Sequence, residues 1–326
     1  MKSLLTFASL LIILCSCTKS SKDSSHVLAP LIVFSHNIHG EFAPCGCRKK
    51  PLGGIVQVAG YFAHLKKKYP KREILYFDTG DSLYPAGNIP KLFKESHDYS
   101  ADQVYTMLSK VGVTATLPGD QDFSQGIEKY TSLVKKNKIP VLISNASKEF
   151  PIKSQKYMKF EFGSLVYYFL SVLDSSTLKY NQKSLVTNSE QSIKQTLEQI
   201  KVDHGKNHPA QQKMLFLLSH SGMSIDQDFA KKFPQINWII GAHTQNFTQL
   251  PQLTPGSKTQ IVQVLSRNHH IGLIDPLSLE QNYTPTELND TFTQFDGNET
   301  WVKLFESMNK ELKRIKEKEL NAFGNE

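Results

Sequence analysis

Residues 31–40 read LIVFSHNIHG: a short run of β-branched and aromatic residues that breaks into an Asn-x-His pair, Asn37 and His39, and a glycine. Crowding of such residues into so short a run marks a buried strand. Polar residues directly after a buried strand sit where open α/β sheets collect ligands, at the carboxyl ends of the strands. The pattern recurs down the chain. "FDTGD" (77–81) follows the apolar "EILY", and "LPGDQDF" (117–123) follows "VTAT". "LLSHSG" (217–222) and "IIGAHTQ" (239–245) each end an apolar run on a histidine loop. Asp78, Asp81, Asp120, Gln121, Asp122, His220, His243 and Gln245 therefore join Asn37 and His39 as strand-end residues.

Amphipathic stretches alternate with these strands. In residues 53–69 Ile55, Val58, Ala59, Phe62 and Leu65 share one helical face, and lysines close the segment. Residues 101–112 read as a helix stopped by glycine. Residues 188–205 read as a helix capped by Asn188 or Ser189. "YMKFEFGSLVYYFLSVL" reads as a hairpin about Gly163-Ser164. "IPVLISNAS" reads as a further strand, and the runs at 259–266 and 269–279 as a late pair. A charged helix with Trp301, Leu304 and Phe305 on one side ends the chain as a packing element. Strands alternating with helices define an α/β layered domain.

The chain has 326 residues, 39% hydrophobic and 21% charged, with a formal net charge of +8. This composition can bury a large core and excludes overall disorder. The lysines are scattered, with no aromatic-basic RNA motif and no zinc-finger spacing, so no nucleic-acid partner is expected. The N-terminus has a basic residue, an apolar run short for a bilayer, and then Leu14-Cys15-Ser16-Cys17. That tetrad resembles a bacterial lipobox. It implies a signal peptide over 1–16, lipid on Cys17, a polar tether over 17–29 and a domain over 30–326. Thr18 after the cysteine points to the outer membrane, facing the periplasm.

The five strand-end motifs, in this order over about residues 30–275, resemble those of the calcineurin-like metallophosphoesterases. The resemblance is strongest to the catalytic domain of the bacterial 5'-nucleotidase group. It implies a four-layer αββα sandwich of the metallophosphoesterase type with its site at the sheet edges. It further implies two metals sharing Asp81, the first also held from positions 37, 39 and 245, the second from 120, 220 and 243. His39, Asp81, His220 and His243 match the family ligands. Asn37 stands for an aspartate, Asp120 for an asparagine, Gln121 for the histidine that protonates the leaving group, and Gln245 for a histidine.

A carboxamide at 37 and the loss of an imidazole at 245 weaken the first metal position. Asp81, Asp120, His220 and His243 supply the second with two carboxylates and two imidazoles, suited to zinc, manganese or iron. One tight divalent site and one weak or absent site are expected. Gln121 cannot donate a proton near neutrality but can orient an anion by hydrogen bonding, so it stays a catalytic candidate with Asp122; His36 is the other acid near in sequence. His36 is expected to point away from Asn37 across the strand. Asp78 is expected to hold its loop by hydrogen bonds, and His269 and His270 to form a polar turn.

In the mature chain only Cys45 and Cys47 remain as thiols. Their loop falls near the pocket mouth, and Arg48, Lys49 and Lys50 would favour thiolate. A structural disulfide and a redox or soft-metal role both stand open. The expected function is that of a lipid-anchored envelope protein, 5'-nucleotidase-like, with weak or altered phosphoester hydrolysis acting on a phosphorylated small molecule. The alternatives are a non-catalytic binding module and a thiol protein using Cys45 and Cys47. The sequence names no protein partner.

Overall fold

The computed structural model describes residues 29–323. The expected signal peptide, Cys17 and nearly all of the expected tether lie outside the described residues. In chain order the regular elements begin with β1 (Leu31–Ser35), α1 (Ile55–Lys68), β2 (Ile74–Asp78), α2 (Lys94–Val111), β3 (Ala115–Thr116) and α3 (Ile127–Asn137). There follow β4 (Met158–Phe162), β5 (Leu165–Leu173), α4 (Ser189–Asn207), β6 (Gln212–His220) and α5 (Met223–Lys232). The chain ends with β7 (Trp238–Gly241), β8 (Gln252–Leu253), β9 (Gln260–Val262), β10 (His270–Ile274), β11 (Tyr283–Glu287) and α6 (Asn298–Phe323).

Two sheets form, in the orders β11-β10-β1-β2-β3 and β4-β5-β6-β7-β9-β8. Phe77 of the first sheet stacks on Phe169 of the second at 4.2 Å between ring centroids, and Phe169 stacks on Phe216 at 4.6 Å. Burial of these rings between the sheets is the main apolar glue of the fold. A second apolar cluster joins the outer face of β5, β6 and β7 to Ile193, Leu197 and Ile200 of α4 and Phe229 of α5. Met308, Leu312 and Ile315 are buried on α6, and Trp301, Leu304 and Phe305 pack on the core, so this helix is a packing element. The result is two sheets flanked by helices. No described helix is long and apolar enough to cross a membrane.

The central strands run parallel, β1 beside β2 and β5 beside β6 beside β7. Their carboxyl ends therefore deliver the polar loops to one pole of the molecule. Asn188 caps α4 through its side chain, and Gly112 ends α2 in a left-handed conformation.

Three expectations change. α2 begins seven residues earlier than its apolar pattern, at Lys94. "IPVLISNAS" forms only isolated bridges, because Ser144 and Asn145 use side chains in place of a ladder. Ser144 Oγ accepts from Ser171 N at 2.8 Å, and Asn145 Oδ1 accepts from Leu173 N at 3.1 Å. The late runs do not pair with each other. β9 lies between β7 and β8 in one sheet, while β10 lies between β1 and β11 in the other.

Candidate metal centre

The loops after β1 and β2 lock together through their backbones. Asn37 N donates to Gly80 O at 2.7 Å, His39 N to Asp81 O at 3.0 Å, and Gly40 N to Ser82 O at 2.9 Å. This crossing needs unusual backbone. Asn37, His39, Asp81 and His243 all have left-handed φ, of 51°, 59°, 56° and 70°. Such conformations cost of order 1–3 kcal/mol each and gather at functional sites.

Two buried carboxylates hold the scaffold. Asp78 accepts from Ser35 Oγ at 2.7 Å and Ser82 Oγ at 2.6 Å, as its expected loop role requires. Burial raises its pKa to about 6. Asp122 accepts four backbone N–H groups, from Asp81 and Gly119 on one oxygen and from Ser82 and Leu83 on the other, at 2.8–3.0 Å. Burial, with Asp81 beside it, pushes its pKa up to about 7, while the four donors favour the ionised form. Asp122 was expected among the catalytic residues. Its geometry gives it another task, since neither oxygen is free to pass a proton to a substrate.

On this scaffold Asp81, Asp120, His220 and His243 bring one ligand atom each to within 4.8 Å of the others. His220 is fully buried, and its Nδ1–H donates to Thr79 O at 2.7 Å. Its Nε2 then faces Asp120 Oδ1 at 3.2 Å and Asp81 Oδ1 at 3.4 Å. His243 Nδ1 lies 2.9 Å from the same Asp120 oxygen. Burial works to lower the His220 pKa, but Asp81 and Asp120 outweigh it and raise the group well above its ordinary 6.5. Burial likewise opposes ionisation of Asp120, but His220 and His243 hold it well below the usual carboxylate range. A nitrogen aimed at two carboxylate oxygens calls for a positive charge between them. A metal ion supplies that charge, and a backbone-held Nδ1–H is the tautomer that frees Nε2 to bind it. The two-carboxylate, two-imidazole set fits a transition metal.

Gln121 serves this cluster. Its side-chain amide donates to Asp120 Oδ2 at 2.6 Å, and its backbone N–H donates to Asp81 Oδ1 at 2.8 Å. Both carboxylates are thereby turned with Oδ1 inward. Gly119 leaves the space for this: a Cβ there would stand 2.3 Å from Asp81 Oδ1 and 2.4 Å from His220 Cε1.

The remaining candidates lie outside the four-residue cluster. Asn37 is spent on hydrogen bonds. Val264 N donates to His36 Nε2 at 3.0 Å, so His36 Nδ1 carries the proton and donates to Asn37 Oδ1 at 3.1 Å. Burial lowers the His36 pKa to about 4, which keeps the ring neutral. Asn37 Nδ2 reaches His243 O at 3.4 Å. His36 thus touches Asn37 instead of pointing away, because the strand ends at Ser35. His39 has Nδ1 on Tyr84 O at 3.2 Å and a buried Nε2 with no partner. Gln245 is exposed, and its side chain makes no hydrogen bond among the described residues.

Cys45 and Cys47 are free thiols. Cys45 shares a 340 Å³ cavity with His39, His97, Leu312 and Lys316, in keeping with a loop at the pocket mouth. The Leu52 N–H, 3.2 Å from Cys45 Sγ, is the main cause of a lowered Cys45 pKa. Cys47 is raised through its hydrogen bond to Cys45. The basic run was expected to favour thiolate. It is not the cause, because Lys50 turns to Glu287 at 2.8 Å and Arg48 and Lys49 are exposed.

Sequence reasoning missed Asp226, on α5 behind the histidines. It is fully buried and accepts from Ser219 Oγ at 2.5 Å. Gly241 passes so close that a Cβ would meet Asp226 Oδ2 at 2.3 Å. Burial raises its pKa from the ordinary 3.8 to about 7. The folded chain therefore keeps a proton that the unfolded chain releases, and stability falls as pH rises from 3.8 to about 7. Asp226→Asn is expected to flatten that fall. Urea unfolding midpoints at about pH 5 and about pH 8 check it: the variant's two midpoints should lie closer together than the parent's.

The fold is that of the calcineurin-like metallophosphoesterases, in the form seen in 5'-nucleotidases. A 5'-nucleotidase precursor from Thermus thermophilus superposes with a TM-score of 0.65 at 15% identity, over 85% of this chain and 58% of that one. NAD nucleotidase from Haemophilus influenzae gives 0.63 at 14%, over 90% and 60%. The calcineurin-like phosphoesterase YfkN from Bacillus subtilis gives 0.63 at 13%, over 88% and 98%. Among curated proteins, an Aedes albopictus apyrase is 24% identical over 246 residues, 70% of this chain and 41% of the apyrase. The chain thus spans less than half of that relative and about three fifths of the two nucleotidases. No family model matches the chain.

Proposed function

We propose that this chain is a lipid-anchored protein of the bacterial envelope, held through Cys17 at the outer membrane and facing the periplasm. Its signal peptide covers 1–16, its tether 17–29 and its metallophosphoesterase-like domain 30–326. In this reading Asp81, Asp120, His220 and His243 hold one manganese, zinc or iron ion tightly, and phosphoester hydrolysis is slow. The four-residue cluster is the observation that carries the reading. The substrate class is a phosphorylated small molecule. Nucleotides lead it, because nucleotidases and an apyrase are among the similar proteins.

When bound, the ion supplies Lewis-acid polarisation of a phosphoryl oxygen and activation of water. The chain's own groups limit the rest. Asn37 is tied to His36, and Gln245 is exposed, which leaves only His39 and the shared Asp81 at a second ion's position. Gln121 holds Asp120 and has no proton to give at neutral pH. Loss of general-acid help costs about a hundredfold to ten-thousandfold in rate. That loss depends on the leaving group, since p-nitrophenolate departs without a proton and a nucleoside alkoxide does not.

The test is hydrolysis of bis-p-nitrophenyl phosphate and AMP with added manganese. Slow turnover of the first, much less of the second, and loss of both in Asp81→Ala are expected. AMP turnover at the rate of an intact 5'-nucleotidase would overturn the slow-hydrolase reading. No turnover by the parent, with turnover in the Asn37→Asp, Gln121→His, Gln245→His variant, would mark a non-catalytic binding module instead.

A further inference from the structure

The pole opposite the metal centre carries a second feature. β1 enters there at Leu31 and leaves at Ser35 towards the metal centre. Arg72 pins the entry point: its guanidinium donates to Ala29 O at 2.7 Å and pairs with Asp275 at 2.5 and 2.8 Å. Asp275 opens the β10–β11 loop, whose leucines are bare: Leu277 is 51% and Leu279 fully exposed. Asn282, at the other end of that loop, donates to Gln260 Oε1 at 3.0 Å at the start of β9. Leu253 pairs with Gln260 and is 61% exposed. Three bare leucines therefore share the pole where the N-terminal segment joins the domain.

Basic residues frame them. Lys66, Lys67 and Lys68 end α1, and Lys71 and Lys258 stand exposed on the same pole. Lys68 lines one groove with Tyr69, Asp275 and Ser278, so lysines and leucine loop are contiguous. Glu73 and Glu280 are the exposed acids nearby, fewer than the lysines. Single exposed leucines are ordinary on any surface. Leucines on a pole that also carries several exposed lysines, at the root of a short polar segment that follows Cys17, are the pattern of a face that rests on an anionic bilayer.

We propose that this pole docks on an anionic lipid surface, with Leu253, Leu277 and Leu279 entering the headgroup layer and the lysines meeting lipid phosphates. The proposal rests on the anchored reading above and adds an orientation to it: the metal centre faces away from the membrane. A tether of about a dozen residues is short enough to keep this pole at the surface.

The full chain, carrying Leu279→Trp, is reconstituted in phosphatidylethanolamine–phosphatidylglycerol vesicles with and without brominated acyl chains. Flotation reads anchoring, and quenching of the added indole, relative to the parent chain, reads docking. The variant is expected to float and to lose most of the added emission in brominated vesicles. Flotation with unquenched emission would overturn docking and leave anchoring intact. Emission that instead shifts with protein concentration would assign the face to a second copy of the chain. Failure to float would overturn the anchored reading, and the proposal with it.

Discussion

Asp122→Ala is expected to cost roughly 3–5 kcal/mol of folding stability, the range for stripping a partner from a buried charged network. The carboxylate is 2% exposed and satisfies the N–H groups of Asp81, Ser82, Leu83 and Gly119. Alanine strips the acceptor from all four buried donors. The damage falls where the β2 loop and the Gly119 turn meet, so both Asp81 and Asp120 lose their support. Urea unfolding of parent and variant measures the loss. Asp122→Asn should be milder, because its amide oxygen still accepts while its NH2 faces two of the donors. A variant within 1 kcal/mol or so of the parent would mean the clamp contributes little.

His220→Ala is expected to weaken metal binding by more than about 100-fold, beyond the upper end of the loss seen for outer-shell partners alone. His220 is the hinge of the cluster, held from behind by Thr79 O and facing both carboxylates. Asp120→Ala should act as strongly, since Asp120 Oδ1 meets both His220 and His243. Gln121→Ala should have a smaller effect, freeing Asp120 Oδ2 without removing a ligand. Competition against a chelator of known affinity gives the dissociation constants. Unfolding midpoints of the apo forms show whether the loss is one of binding or of folding.

Much of this is legible in the sequence. Each motif lay at the end of an apolar run, so parallel strands had to bring Asp81, Asp120, His220 and His243 to one pole. The resemblance sets a carboxylate lost at position 37 against one gained at position 120, and Asp120 belongs to the four-residue cluster. What stayed hidden was side-chain bookkeeping across loops. Asp122 sits one residue from Gln121, yet a short 3₁₀ turn sends it into four backbone N–H groups. Strand alternation places His36 on the far face, but the left-handed Asn37 ends the alternation. Asp226 has no motif to mark it, since the Ser219 hydroxyl and the close pass of Gly241 make it part of the site's support. The strand expected at 140–147 does not form because Ser144 and Asn145 meet the backbone of β5 with their side chains, which no periodicity records.

The most direct measurement is metal content with anomalous scattering on crystals of the unmodified protein grown with manganese or zinc. One ion per chain, bound by Asp81, Asp120, His220 and His243, is the expected result. An empty cluster, or an ion held instead by Asn37, His39 and Gln245, would contradict it.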